Sequence, residues 1–167
     1  MQTTRFSSVQ PIRIAKRSPA MSDLTTNVIL FTCQWCSYAA ADLAGSERRR
    51  YPANTSILRL PCTGRVEEPH LLKAFENGAD GVMVAGCLEG NCHYQTGNFR
   101  ARARVKRVAG ILDSIGLNGR RVRMYNLSAG QGANFAAFVT EFVELIDNLG
   151  RSPINLARTN ALEHQAA

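Results

Sequence analysis

A chain of 167 residues that is 45% hydrophobic and 20% charged has the size and composition of one globular domain. No window approaches the roughly 18 consecutive apolar residues of a membrane span, so no membrane span is expected. The net charge of +7 is localised: residues 1–22 hold Arg5, Arg13, Lys16 and Arg17 and no acid, leaving +3 for the other 145 residues. Arg100, Arg102, Arg104, Lys106 and Arg107 form a second basic concentration in one segment. It lacks the interleaved aromatics and groove-facing spread of a nucleic-acid binder, so a charged tail and a solvated helix face account for the charge and no nucleic acid partner is expected.

Residues 1–25 contain Pro11 and Pro19, show no apolar periodicity and lack the h-region of a secretory signal. Their acid-free, arginine-bearing composition is that of a transit peptide, but the apolar face is poor, and Met21-Ser22-Asp23 offers a second start. They are set apart as a disordered or over-annotated extension. The domain proper spans 26–150. Asn27 to Thr32 is a short β-prone run ending in Cys33, followed by an Ala-rich helix over Ser37 to Arg49 that Tyr51-Pro52 closes. Ser56 to Leu60 is a second strand leading to Pro61-Cys62. A helix over about Glu68 to Asn77 follows, with Pro69 in its first turn and Gly78 beyond its end.

Gly81 to Ala85 is the third strand, ending at Gly86-Cys87. From Asn98 to Ile115 the apolar residues Val105, Val108, Ala109, Leu112 and Ile115 keep a helical period, and Gly116 stops it. Arg121 to Leu127 is a fourth strand, and a helix over Ala133 to Leu149 ends at Gly150. The polar stretch 151–167 reads as a flexible tail. Alternating strands and helices predict a single α/β domain, with a mostly parallel four-stranded sheet, helices on both faces and a flavodoxin-like or Rossmann-like order. Sites in such sheets form at the carboxyl ends of the strands.

That rule gathers the cysteines. Cys33, Cys62 and Cys87 each end a predicted strand, Cys36 lies one turn beyond Cys33, and Cys92 follows Cys87 across a Gly-bearing loop. All five are therefore expected at one edge. Four thiolates suffice for a structural zinc or an iron–sulfur cluster. Ligands drawn from three strand ends of a domain large enough to fold alone have little need of a stapling metal. Gly86, Gly90 and Gly97 supply unobstructed N–H groups, and helix N-termini after Cys36 and Cys92 suit an anionic cluster. Two alternatives stay open. Cys33-Gln-Trp-Cys36 has the form of a thiol–disulfide oxidoreductase motif, which leaves Cys62, Cys87 and Cys92 unexplained. A zinc-stapled adaptor is the other. No catalytic dyad, Walker loop or GxGxxG motif is present. His70 and His164 lie away from the cysteine edge, and no small-molecule substrate is expected.

Four ordered segments carry a more specific likeness: Cys33-Gln-Trp-Cys-Ser-Tyr-Ala-Ala-Ala-Asp-Leu-Ala-Gly45, Leu60-Pro-Cys-Thr-Gly-Arg65, Gly78-Ala-Asp-Gly-Val-Met-Val-Ala-Gly-Cys87 and Cys92-His-Tyr-Gln-Thr-Gly-Asn98. From about Val28 to Leu149 the chain resembles the delta subunit of methyl-viologen-reducing hydrogenase. The resemblance implies a cytoplasmic, non-catalytic electron-transfer subunit with a [2Fe-2S] cluster. It would link a hydrogenase or formate dehydrogenase-type donor to the flavin-bearing subunit of a heterodisulfide reductase-type complex. It also implies that four of Cys33, Cys36, Cys62, Cys87 and Cys92 are ligands. His93 is then expected to donate to a cluster sulfur or carry a protein contact, against an ordinary loop hydrogen bond. Arg65 is expected to hold the anionic cluster or a partner carboxylate, against plain solvation at the start of a helix. Arg100, Arg104 and Arg107 share a helix face expected to meet an acidic partner.

Overall fold

The structure, a computed structural model, describes residues 26–157. The extension 1–25, His164 and the rest of the tail from 158 lie outside the described residues. The elements run β1 (Val28–Cys33), α1 (Ser37–Ser46), β2 (Thr55–Leu60), α2 (Glu68–Glu76), β3 (Gly81–Cys87), α3 (Gly97–Ser114), β4 (Val122–Leu127) and α4 (Gly132–Leu149). All strand pairs are parallel and the order is β2-β1-β3-β4, so the expected α/β fold is the one formed.

Each helix buries one apolar stripe, and the two faces of the sheet divide them. On one face Ala40, Ala41 and Ala44 of α1 and Phe135, Val139, Phe142 and Ile146 of α4 pack on Leu30, Met83 and Ala85. On the other, Leu71 and Phe75 of α2 and Ala101, Val105, Val108 and Leu112 of α3 pack on Phe31, Val82 and Val84. Every residue of β3 is buried, as a central strand covered on both sides requires. Full burial of a side chain such as Phe135 or Leu71 contributes about 1.5–3 kcal/mol. The edge strand β2 alternates in burial instead and leaves Leu58 exposed.

Three local details differ from expectation. Helix α1 stops at Ser46 rather than Arg49, because Arg48 takes a positive φ of 55° and turns the chain back. Arg121 is not the first residue of β4. It closes a 3-10 turn with a buried guanidinium that donates to the carbonyls of Leu117 (2.9 Å), Asp80 (3.0 Å) and Gly150 (2.8 Å). The packed structure also continues past Gly150, where a flexible tail was expected. Ser152 N donates to Asp80 Oδ1 at 2.6 Å, and the Asn155 amide reaches both carboxylate oxygens at 3.0 Å. Asp80 is fully buried and takes a further bond from Asn27 N at 2.8 Å. This polar clasp closes the amino-terminal end of the sheet. No helix among the described residues is long and apolar enough to cross a membrane.

Candidate metal centre

Strand order alone singles out one place at the opposite, carboxyl end of the sheet. The chain winds from β1 to the left into β2, then crosses back to β3 and β4 on the right, so the connections diverge between β1 and β3. Cys33 is the last residue of β1 and Cys87 the last of β3, so both stand at this switch point. Their sulfurs are 3.6 Å apart.

The remaining thiols are brought in by loops. Cys62 follows β2 and caps the 3-10 turn Thr63–Arg65. Cys92 comes from the loop before α3. Cys33, Cys62, Cys87 and Cys92 form one buried cluster, with Cys36 at the N-terminus of α1 packed against it and less buried than the others. None of the five is disulfide-bonded.

Neighbouring side chains lock this geometry. Ser37 Oγ accepts from Cys33 N at 2.8 Å and donates to Ala85 O at 2.5 Å, fastening the end of β1 to β3. Asn98 donates to the carbonyls of Cys87 (3.1 Å) and Leu88 (3.0 Å), and Asn126 also donates to Cys87 O. Arg104 spans from α3 to the turn after Cys62, donating to Gly64 O at 2.7 Å and Val66 O at 2.8 Å.

Two glycines make room for sulfur. A Cβ on Gly97 would come within 2.3 Å of Cys62 Sγ and 3.3 Å of Cys92 Sγ, so these sulfurs sit together over a bare backbone. A Cβ on Gly64 would meet Gly97 Cα at 2.7 Å, which keeps the Cys62 turn against the start of α3.

The electrostatics are uneven. Burial pushes the Cys87 thiol well above its ordinary range, and burial likewise raises Cys36 and Cys62. For Cys62 the Gly64 N–H, 3.3 Å from the sulfur, partly offsets burial. Burial raises Cys92 too, but N–H donors from Asn98, Tyr94 and Gly97 outweigh it and leave this thiol below its ordinary value. The start of α3 thus concentrates N–H donors on the Cys92 sulfur. Among the described residues no group of three or more His, Cys, Asp or Glu side chains is arranged to hold a metal ion. Cys87 neighbours both Cys33 and Cys36, and Cys62 neighbours Cys92. An all-thiol donor set, a side-chain-free cradle and convergent N–H groups fit an anionic iron–sulfur cluster.

The other sequence candidates take different places. His93 is exposed, and its ring stacks on Trp35 with centroids 4.2 Å apart rather than reaching a thiol. Arg65 is exposed beside Cys62. The expected docking face of Arg100, Arg104 and Arg107 is mostly consumed within the molecule. Arg104 ties the Cys62 turn and Arg107 pairs with Glu68 at 2.5 Å, because α3 lies across the start of α2. Glu89, in the cysteine loop, pairs with Arg102. His70 is a capping group: its Nδ1 accepts from Glu67 N at 3.0 Å. Sequence reasoning did not single out Ser37, Asn98 or Asn126. Their signal was weak: Ser37 and Asn98 lie inside the quoted motifs, but a polar residue at a helix start has many ordinary uses.

A doubly wound α/β domain whose switch point is filled with thiols defines a cysteine-based metal or redox module. Residues 28–150 match the family model of the methyl-viologen-reducing hydrogenase delta subunit, and the chain belongs to that family. The chain is 44% identical over 124 residues, 74% of its own length, to an iron-sulfur subunit of the F420-non-reducing hydrogenase of Archaeoglobus profundus, of which the match covers 90%. It is 42% identical to the vhu iron-sulfur subunit of the F420-non-reducing hydrogenase of Methanocaldococcus jannaschii, over 76% of its length and 95% of the relative's. It is also 38% identical to one subunit of the ferredoxin:CoB-CoM heterodisulfide reductase of Methanosarcina mazei. That match takes in 90% of this chain but only 19% of the much longer relative.

Proposed function

We propose that this protein is a cytoplasmic electron-transfer subunit. It would carry a [2Fe-2S] cluster between a hydrogenase or formate dehydrogenase-type donor and a flavin-bearing heterodisulfide reductase-like subunit. The observation that carries the reading is the burial of four thiols as one cluster at the switch point, with N–H groups aimed at sulfur. A bound cluster would supply one-electron chemistry, which the relatives named as iron–sulfur subunits support.

In this reading the buried quartet Cys33, Cys62, Cys87 and Cys92 are the ligands, and Cys36, less buried and at the edge of the group, is the spare thiol. The protein's own residues do the rest. Ser37, Asn98 and Asn126 fix the ends of β1 and β3, Gly97 keeps a side chain out of the sulfur cradle, and Arg104 holds the Cys62 turn. The fusion-like match within the long heterodisulfide reductase polypeptide supports a partner of that kind, since that relative carries a similar domain in the same chain.

Anaerobic purification with iron, sulfide and zinc quantified, followed by absorption and EPR spectra before and after dithionite, tests the reading. Two iron and two sulfide per chain, with an EPR signal on one-electron reduction, are expected. Stoichiometric zinc, or metal-free protein cycling a Cys33–Cys36 disulfide, would refute it. Single Cys→Ser changes should abolish the cluster at Cys33, Cys62, Cys87 and Cys92 and spare it at Cys36.

A further inference from the structure

Next to the thiols the surface opens into a cavity of about 430 Å³, lined by Pro61, Cys62, Arg65, Tyr94, Gly97 and Arg100 among others. Of the buried quartet, Cys62 lines it. No carboxylate does, although two guanidiniums do.

Those guanidiniums differ from their neighbours. Arg102 pairs with Glu89, Arg104 is spent on two carbonyls and Arg107 pairs with Glu68. Arg65 and Arg100 have no acidic partner among the described residues, and both are exposed. Large rings stand exposed at the same end. Tyr94, 49% exposed, lines the cavity and packs edge-on against His93, which stacks on Trp35, itself 46% exposed. Arginine and exposed aromatics in one patch have the composition of a protein contact, and a guanidinium is the natural partner of a carboxylate.

We infer that this cavity docks an acidic loop of the redox partner, the flavin-bearing heterodisulfide reductase-type chain. The loop's carboxylates meet Arg65 and Arg100, while Tyr94 packs on its flank. The inference rests on the electron-transfer reading and adds to it the surface and the sign of the partner's charge. Docking here brings the partner to Cys62, the buried sulfur-bearing residue that borders the opening. An exposed contact of this kind is steered by charge and weakens as salt screens it.

The test is a binding titration of the cluster-bearing protein with a purified flavin-bearing heterodisulfide reductase-type chain at ~50 and ~300 mM salt. Arg65→Glu/Arg100→Glu should weaken binding at least about 30-fold at low salt, with a flatter salt dependence. Lys106→Glu/Arg120→Glu makes the same charge change on exposed side chains outside the cavity, and should stay within about threefold. Equal loss in both double variants, no loss in the first, or no binding by the unaltered protein overturns the inference. Self-association of the chain that only the first variant loses would put a second copy in the cavity and also overturn it. Iron and sulfide are measured on the same samples. A cluster-free protein that still binds with this charge dependence retires the electron-transfer reading and upholds the docking surface.

Discussion

A methyl group at Gly97 would occupy the space that Cys62 Sγ now fills, 2.3 Å from where the Cβ would stand. Backbone there is helical, so alanine would otherwise be well tolerated. Gly97→Ala is therefore expected to keep a folded domain by circular dichroism while iron and sulfide content falls below about a tenth. Full loading of that variant would refute the cradle. The thiols themselves differ in acidity. Cys92 is held below the ordinary thiol range because N–H donors outweigh its burial, while burial raises Cys36, Cys62 and Cys87. A lowered thiol adds stability above its unfolded pKa and loses it as pH falls through the folded value. A raised thiol adds stability below its unfolded pKa and loses it as pH climbs through the folded value. In metal-free protein, alkylation at Cys92 should accordingly set in at lower pH than at Cys87. Timed labelling at stepped pH, mapped by mass spectrometry, checks this; labelling of Cys87 first would contradict it.

Between elements, the arginines of α3 divide by task. Arg104 crosses to the turn after Cys62 and satisfies two carbonyls, so Arg104→Ala should cost about 1.5–3 kcal/mol in denaturant unfolding and lower cluster retention. An unchanged midpoint would show that the turn holds itself. The sequence pattern could not assign this arginine, because helical periodicity says which residues share a face but not which carbonyls lie opposite. The elements were far more legible. Short β-prone runs, helical periods and the helix start and stop signals put every strand and helix within a few residues of its place, since burial on one or both faces is written in residue order. Cysteines at strand ends gave away their convergence through the parallel topology alone. What stayed hidden were contacts distant in sequence: Ser37 to Ala85, Asn98 to Cys87, and the sulfur pairing over Gly97. The end of α1 was misjudged because Ser46 to Arg50 is compatible with helix, and only the left-handed turn at Arg48 stops it.

Across the whole molecule, the sheet has a polar clasp at one end and sulfur at the other. Asp80 gathers N–H donors from Asn27, Ser152 and Asn155, and Arg121 ties the same region to Gly150. Asp80→Ala would strand several buried donors and should destabilise the domain by at least about 3 kcal/mol, seen as a lower denaturant midpoint. Removal of the residues after Gly150 should cost a comparable amount. Combined, the two changes should cost less than their sum, since they delete the same bonds. Strict additivity would mean that the tail contributes elsewhere. Over residues 151–157 the flexible reading does not hold, for a clear reason: Ser152 and Asn155 look like linker, but the Ser152 N–H and the Asn155 amide are the donors a buried carboxylate needs.

The clasp has a consequence for how such a domain can be used as a part. Asn27 and Ser152 bond to the same carboxylate, so the strand that opens the domain and the segment that follows α4 meet side by side. Both lie at the far pole from the cysteines. Further polypeptide attached at either junction would leave the sulfur-bearing pole facing outward, as a plug leaves its pins clear of its cord. A domain wired this way can serve as a separate protein or as a segment of a larger chain without any change at its working end.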